Sequence, residues 1–125
     1  MRSQPLRDMR VLVVEDEYYM ADDLARALKE AGAIPVGPFG SVHQAESAIT
    51  QDEIRAAVLD LNLHGERSDD LARRLDSASV PCLIVSGYGA DALPPDLCHL
   101  RRLEKPINCS AIVSALGEEV ARAAV

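Results

Sequence analysis

In Ala56-Ala-Val-Leu-Asp-Leu-Asn62 a short apolar run, Ala56 to Leu59, ends abruptly on the carboxylate of Asp60. An uninterrupted run of this length, with no polar alternation, reads as a strand buried on both faces. Val11-Leu-Val-Val14 upstream has the same character and runs into Glu15-Asp16-Glu17. Val80-Pro-Cys-Leu-Ile-Val85 downstream is a third such run, leading into Ser86-Gly87-Tyr88. Ile34-Pro-Val36 is a short strand whose proline suits an edge or a strand start, and Leu100-Arg-Arg-Leu103 is shorter and more polar, as an edge strand is.

Helical spacing fills the gaps between them. Met20, Leu24, Ala27, Leu28 and Ala31 make one stripe, closed by Gly32. Ser41 is placed to cap a helix carrying Val42, Ala45, Ala48 and Ile49. A polar loop over 62–68 leads to a helix around Asp69 to Asp76. A last helix follows Pro106, with Ile112, Leu116 and Val120 on one face. Between the fourth and fifth strands the chain reads Asp91-Ala-Leu-Pro-Pro-Asp-Leu-Cys-His99, and consecutive prolines forbid a full helix. One or two short turns are expected there. Strands alternating with helices predict an α/β fold, a doubly wound parallel sheet of five strands with a short or broken fourth helix.

In such sheets ligands bind beyond the carboxyl ends of the strands. Those ends carry Glu15 and Asp16, Asp60 and Asn62, Ser86 and Gly87, and Lys105-Pro106. Neighbouring central strands would bring Glu15, Asp16 and Asp60 together. Three crowded carboxylates repel unless a cation neutralises them. A hard divalent ion such as Mg²⁺ suits an all-oxygen donor set. Lys105 adds a second positive charge and Ser86 a hydroxyl donor. That arrangement suits phosphoryl transfer, in which positioning and charge neutralisation do most of the work, with Asp60 as nucleophile.

With these residues in place, the chain resembles the receiver domain of two-component response regulators from about Met9 to about Ala123. The resemblance implies a flavodoxin-like sheet of order 2-1-3-4-5. It implies that Asp60 is the phosphoacceptor. Glu15, Asp16 and the Asn62 backbone carbonyl would hold Mg²⁺. Ser86 and Lys105 would bond the phosphoryl group, and Pro106 would follow Lys105 through a cis bond. Pro81-Cys-Leu-Ile-Val-Ser-Gly-Tyr-Gly89 is similar to the Phe-Ala-Thr-Gly-Tyr-Gly segment of alphaproteobacterial single-domain receivers. Two departures stand out. Glu15 is one methylene longer than the family's commoner Asp, and Arg102 occupies the position of the switch aromatic. Tyr88 has two readings, a part of the switch or an exposed loop aromatic. Tyr18 at the start of the first helix would either shade the phosphoryl group or simply open the helix.

The rest of the chain sets bounds. Its 125 residues hold 20 acidic and 13 basic side chains, a net charge of -7. That balance speaks against nucleic acid and against anionic lipid. The 48% of hydrophobic residues suffice for one core, so residues 1–125 are expected to be one receiver domain without an output domain. No apolar run approaches the ~20 residues of a membrane span, and no signal peptide opens the chain. Cys82, Cys98 and Cys109 show neither zinc spacing nor a disulfide framework, and Cys82 reads as core. A cytoplasmic protein is the expectation. His43, His64 and His99 read as surface residues, with lining of the site mouth as a second reading of His64. Arg67, Arg73 and Arg74 read as a solvated helix face.

The expected function is therefore Mg²⁺-dependent transfer of a phosphoryl group to Asp60 from a histidine kinase or histidine phosphotransfer protein. Output would pass by contact with a downstream protein or by phosphate relay. Such a chain is not an enzyme beyond catalysing its own phosphorylation and dephosphorylation. The alternative is a metal-dependent Toprim-like phosphodiester enzyme, which resembles this chain in a Glu after one strand and a DxD after a later one. Here the second Asp of that motif is Asn62. A flavodoxin-like cofactor module would need a phosphate-binding loop where Glu15-Asp16-Glu17 stands.

Overall fold

A computed structural model describes residues 4–87 and 93–124. Its main sheet is built from β1 (Arg10–Val14), β2 (Ile34–Phe39), β3 (Ala56–Asp60), β6 (Cys82–Ser86) and β7 (Arg102–Glu104). The strands are all parallel in the order β2-β1-β3-β6-β7. A separate hairpin, β4 (Asn62–Leu63) and β5 (Glu66–Arg67), interrupts the crossover after β3. With that hairpin set aside, the order is the expected 2-1-3-4-5.

The pleat sorts the strand residues into two cores. Val11, Val13, Val58, Leu83 and Val85 face α1 (Tyr18–Glu30) and α4 (Cys109–Ala123), meeting Leu24, Leu28, Ile112 and Leu116. Leu12, Val14, Leu59 and Ile84 face the other way, onto α2 (Val42–Gln51) and α3 (Asp69–Ser77). Every residue of β3 and β6 is buried, which is why both read as continuous apolar runs. Leu6, ahead of the expected core, is buried among the α1 and α4 residues. Among the described residues no helix is long and apolar enough to cross a membrane.

Several boundaries differ from the sequence reading. β2 continues past Val36 to Phe39 through Pro35 and Pro38. An edge strand leaves one row of N–H groups unpaired, so prolines do it little harm. The last strand begins at Arg102, because Leu100 is held in a turn by its N–H to the Leu97 carbonyl. The 62–68 segment is the β4–β5 hairpin rather than a plain loop, with Leu63 buried.

Among the described residues between β6 and β7, the helical structure is one 3₁₀ turn, Pro95–Leu97. Pro95 opens the turn, and Leu97 is driven into the core beside Leu71, Leu75 and Ile84. Arg73 grips Asp96 through two nitrogens, at 2.7 and 3.2 Å, and His99 Nε2 lies 3.0 Å from Asp76. Leu97, with the partly buried Leu93 and Leu100, covers this side of the core. Leu97→Ala is expected to lower stability by about 2–4 kcal/mol, read from urea unfolding, because so short a turn has little freedom to close the cavity.

Candidate functional site

The register of the central strands sets the site. Val14 pairs with Leu59, so Glu15 and Asp60 emerge side by side at the carboxyl edge. Both are buried, at 4% and 5% exposure. Oxygens of Glu15, Asp16 and Asp60 lie within 4.8 Å of one another, which gathers the three expected carboxylates. Lys105 arrives from the far side of the sheet. Ser86 pairs with Glu104, and the Lys105 N–H donates to the Ser86 carbonyl at 2.7 Å. The Lys105–Pro106 bond is cis, as the resemblance implied.

The Lys105 ammonium is 3.0 Å from Asp60 Oδ2, 3.0 Å from Glu15 Oε1 and 3.8 Å from Glu17 Oε1. Burial pulls its pKa down, but hydrogen bonds and charge from Glu15 and Asp60 outweigh burial and leave it raised. Glu15 is pushed up to about 7, chiefly by burial and further by the Asp60 charge. The Glu17 N–H and Lys105 oppose that rise without cancelling it. One ammonium therefore does not balance three carboxylates.

The donor set suits a divalent cation. Octahedral Mg²⁺ holds oxygens at about 2.0–2.1 Å, so opposite ligands are about 4 Å apart, and small side-chain shifts would bring this cluster to that spacing. Ser86 Oγ is a second sign of an unfinished site. Ser86 is 1% exposed, and its hydroxyl is the one buried side-chain polar atom without a hydrogen-bond partner among the described residues. Such atoms are rare and call for a ligand or a functional explanation.

Asp60 is held firmly. The Asn62 N–H donates to Asp60 Oδ1 at 3.1 Å, and Lys105 binds the other oxygen. Ser68, fully buried, donates its hydroxyl to the Asp60 carbonyl at 2.7 Å, and its N–H donates to the Leu61 carbonyl. The sequence reading missed Ser68; its place just ahead of the Asp69-Asp70 helix start was the available signal. It also ranked His64 first as a plain surface residue. The imidazole is exposed, yet its Nδ1 lies 2.6 Å from Asp16 Oδ2, so the mouth-lining reading is the one the structure favours. Asp16, Asp60, Asn62, His64, Gly87 and Lys105, with Glu17, line a pocket of about 330 Å³.

Other expected residues fall outside this pocket. Arg102 is exposed on the edge strand, and Pro106 lines an adjoining groove with Tyr19, Met20 and Ile107. Tyr18 is exposed, stacked edge-on against Tyr19. Tyr88 lies outside the described residues. Arg67 and Arg73 are more than a solvated face, since each forms a fork with an aspartate, Asp69 and Asp96 respectively.

No family model and no curated protein matches the chain. Solved structures do. SdrG from Sphingomonas melonis Fr1 is 28% identical, with a TM-score of 0.78 over 96% of this chain and 99% of that one. The CheY-like response regulator receiver domain protein from Methanospirillum hungatei JF-1 is 16% identical, with a TM-score of 0.79 over 94% and 97% of the two chains. The response regulator receiver protein from Sinorhizobium medicae WSM419 is 20% identical, with a TM-score of 0.73 over 94% and 98%. The chain has the receiver-domain fold. Its structural neighbours are signalling domains, and the Toprim-like alternative finds no support among them.

Proposed function

We propose that this receiver-fold chain is a phospho-accepting response regulator module with Asp60 as the phosphoacceptor. The observation that carries the reading is the Asp60 carboxylate, buried at the pocket floor with Lys105 Nζ at 3.0 Å and two further carboxylates alongside. A carboxylate so placed is oriented for attack and shielded from bulk water.

The donor in this reading is a phosphohistidine on a histidine kinase or histidine phosphotransfer protein. An Asp60 carboxylate oxygen attacks phosphorus, the P–O bond forms as the P–N bond breaks, and the electron pair returns to the departing imidazole. Lys105 neutralises charge gathering on the phosphoryl oxygens, and the Ser86 hydroxyl gains an acceptor. Mg²⁺, held by Glu15, Asp16, Asp60 and the Asn62 carbonyl, supplies further charge neutralisation when bound. The product carries about -1.5 to -2 added charges, enough to redraw the bonding of Lys105 and Ser86 and to bias the segment after β6. Because Arg102 replaces the switch aromatic, that response would not run through an inward-turning ring at 102.

Output would then reach a downstream protein by contact or by relay. The acidic balance, net -7, supports a protein target rather than nucleic acid or membrane. Gly87-Tyr88-Gly89 in the sequence and the short 3₁₀ turn at Pro95–Leu97 support the Phe-Ala-Thr-Gly-Tyr-Gly group. The test is incubation with acetyl phosphate followed by intact-protein mass spectrometry. The protein should gain one phosphoryl group with Mg²⁺ and none with EDTA. No gain under either condition, together with no response to beryllofluoride, would overturn the proposal.

A further inference from the structure

The hairpin after Asp60 is built to hold one side chain in place. Leu63 anchors it in the core, and Glu66 Oε1 accepts the Val42 N–H at the start of α2. Asn62 Oδ1 closes the turn on the Gly65 N–H at 2.7 Å. The tip is His64-Gly65, both at positive φ, 52° and 94°. Glycine takes that conformation freely, whereas for histidine it costs energy and is uncommon. That conformation carries the imidazole to Asp16, 48 positions earlier in the chain, with Nδ1 2.6 Å from Oδ2.

Asp16 differs from the other two carboxylates in what holds it. Glu15 and Asp60 are tied to Lys105 and to backbone amides. Asp16 instead has His64 beside it; the Asp16 side chain is about 10% exposed and the imidazole 82%. A carboxylate offers about four acceptor sites, so an imidazole nitrogen beside Oδ2 leaves the others for a cation. Partners of this kind fix ligand orientation in metal sites, and their loss typically costs about 10–100-fold in affinity.

We propose that His64 is a positioning residue for Asp16 and thereby sets the affinity of the acidic pocket for a divalent cation. The proposal rests on the receiver reading, in which that pocket holds such an ion. Because the imidazole is exposed, its removal is expected to weaken binding about three- to tenfold, at or below the low end of that range.

Calorimetric titration of the whole chain with Mg²⁺ at about pH 8 tests this. His64→Gly deletes the donor and tolerates positive φ, so strain cannot explain its effect. His64→Asn also tolerates positive φ, and its amide N–H₂ stands near the position of Nδ1–H. The expected result is a three- to tenfold higher Kd for H64G and a Kd within twofold of wild type for H64N. Equal or tighter binding by H64G overturns the positioning role and leaves the receiver reading intact. H64N as weak as H64G overturns the donor role in the same way. Failure of wild type to bind Mg²⁺ at millimolar concentration removes both this proposal and the metal site beneath it.

Discussion

Asp60→Asn is expected to take up no phosphoryl group from acetyl phosphate in Mg²⁺, a loss of at least about a hundredfold in rate by intact mass. An amide oxygen is a poor nucleophile, so the substitution removes the reacting group with almost no change of shape. The Asn amide oxygen can still accept the Asn62 N–H that Asp60 Oδ1 accepts. Losing the bond to Lys105 is countered by relief of the repulsion between Asp60 and Glu15. The variant should therefore unfold cooperatively within about 1 kcal/mol of wild type, so that lost labelling reports chemistry. Glu15 and Asp16 make the result informative, because both are carboxylates within reach of the same pocket. Labelling that survives in Asp60→Asn would move the nucleophile to one of them and defeat the assignment.

Much of this site could be read from the chain because central parallel strands announce themselves. Ala56–Leu59 and Val11–Val14 are apolar at every position since both faces are covered, and the first charged residue after each run marks its carboxyl end. Convergence of Glu15, Asp16, Asp60 and Lys105 then follows from sheet order alone. The hairpin escaped that logic. Its residues, Asn62 to Arg67, are mostly polar, and two-residue strands are too short to show alternation. The burial of Leu63 and Ser68 depends on what packs over them, which no local pattern records. His64 was ambiguous for the same reason, because its partner Asp16 belongs to a distant loop. The edges misled differently. β2 carries prolines that an edge tolerates, and β7 begins two residues late because Leu97 claims Leu100 for a turn.

Loss of Lys105 should expose the electrostatic strain of the pocket. In metal-free buffer at pH 8, Lys105→Met is expected to lower stability by about 2–3 kcal/mol, since it strips the ammonium from two buried carboxylates. At pH 5 the part of the penalty that comes from Glu15 should be lost. Glu15 has a folded-state pKa of about 7, above its ordinary value of 4.5, because burial disfavours its charge. A carboxyl raised in this way binds its proton more tightly in the folded state than in the unfolded chain. Its ionisation therefore costs the fold little below about pH 4.5, progressively more from there to about 7, and its full penalty above 7. Without Lys105 the Glu15 value would rise further and widen that window. Urea midpoints at pH 5 and pH 8 in EDTA measure the difference. Glu15→Gln should flatten the pH dependence in both backgrounds, and saturating Mg²⁺ should restore stability to wild type at pH 8 by binding only the folded pocket. An equal penalty for Lys105→Met at both pH values would mean that its stem, not its charge, supports the fold. The same variant should also lose about a hundredfold or more in phosphorylation rate, because the charge that holds the resting carboxylates together also stabilises the transferring group.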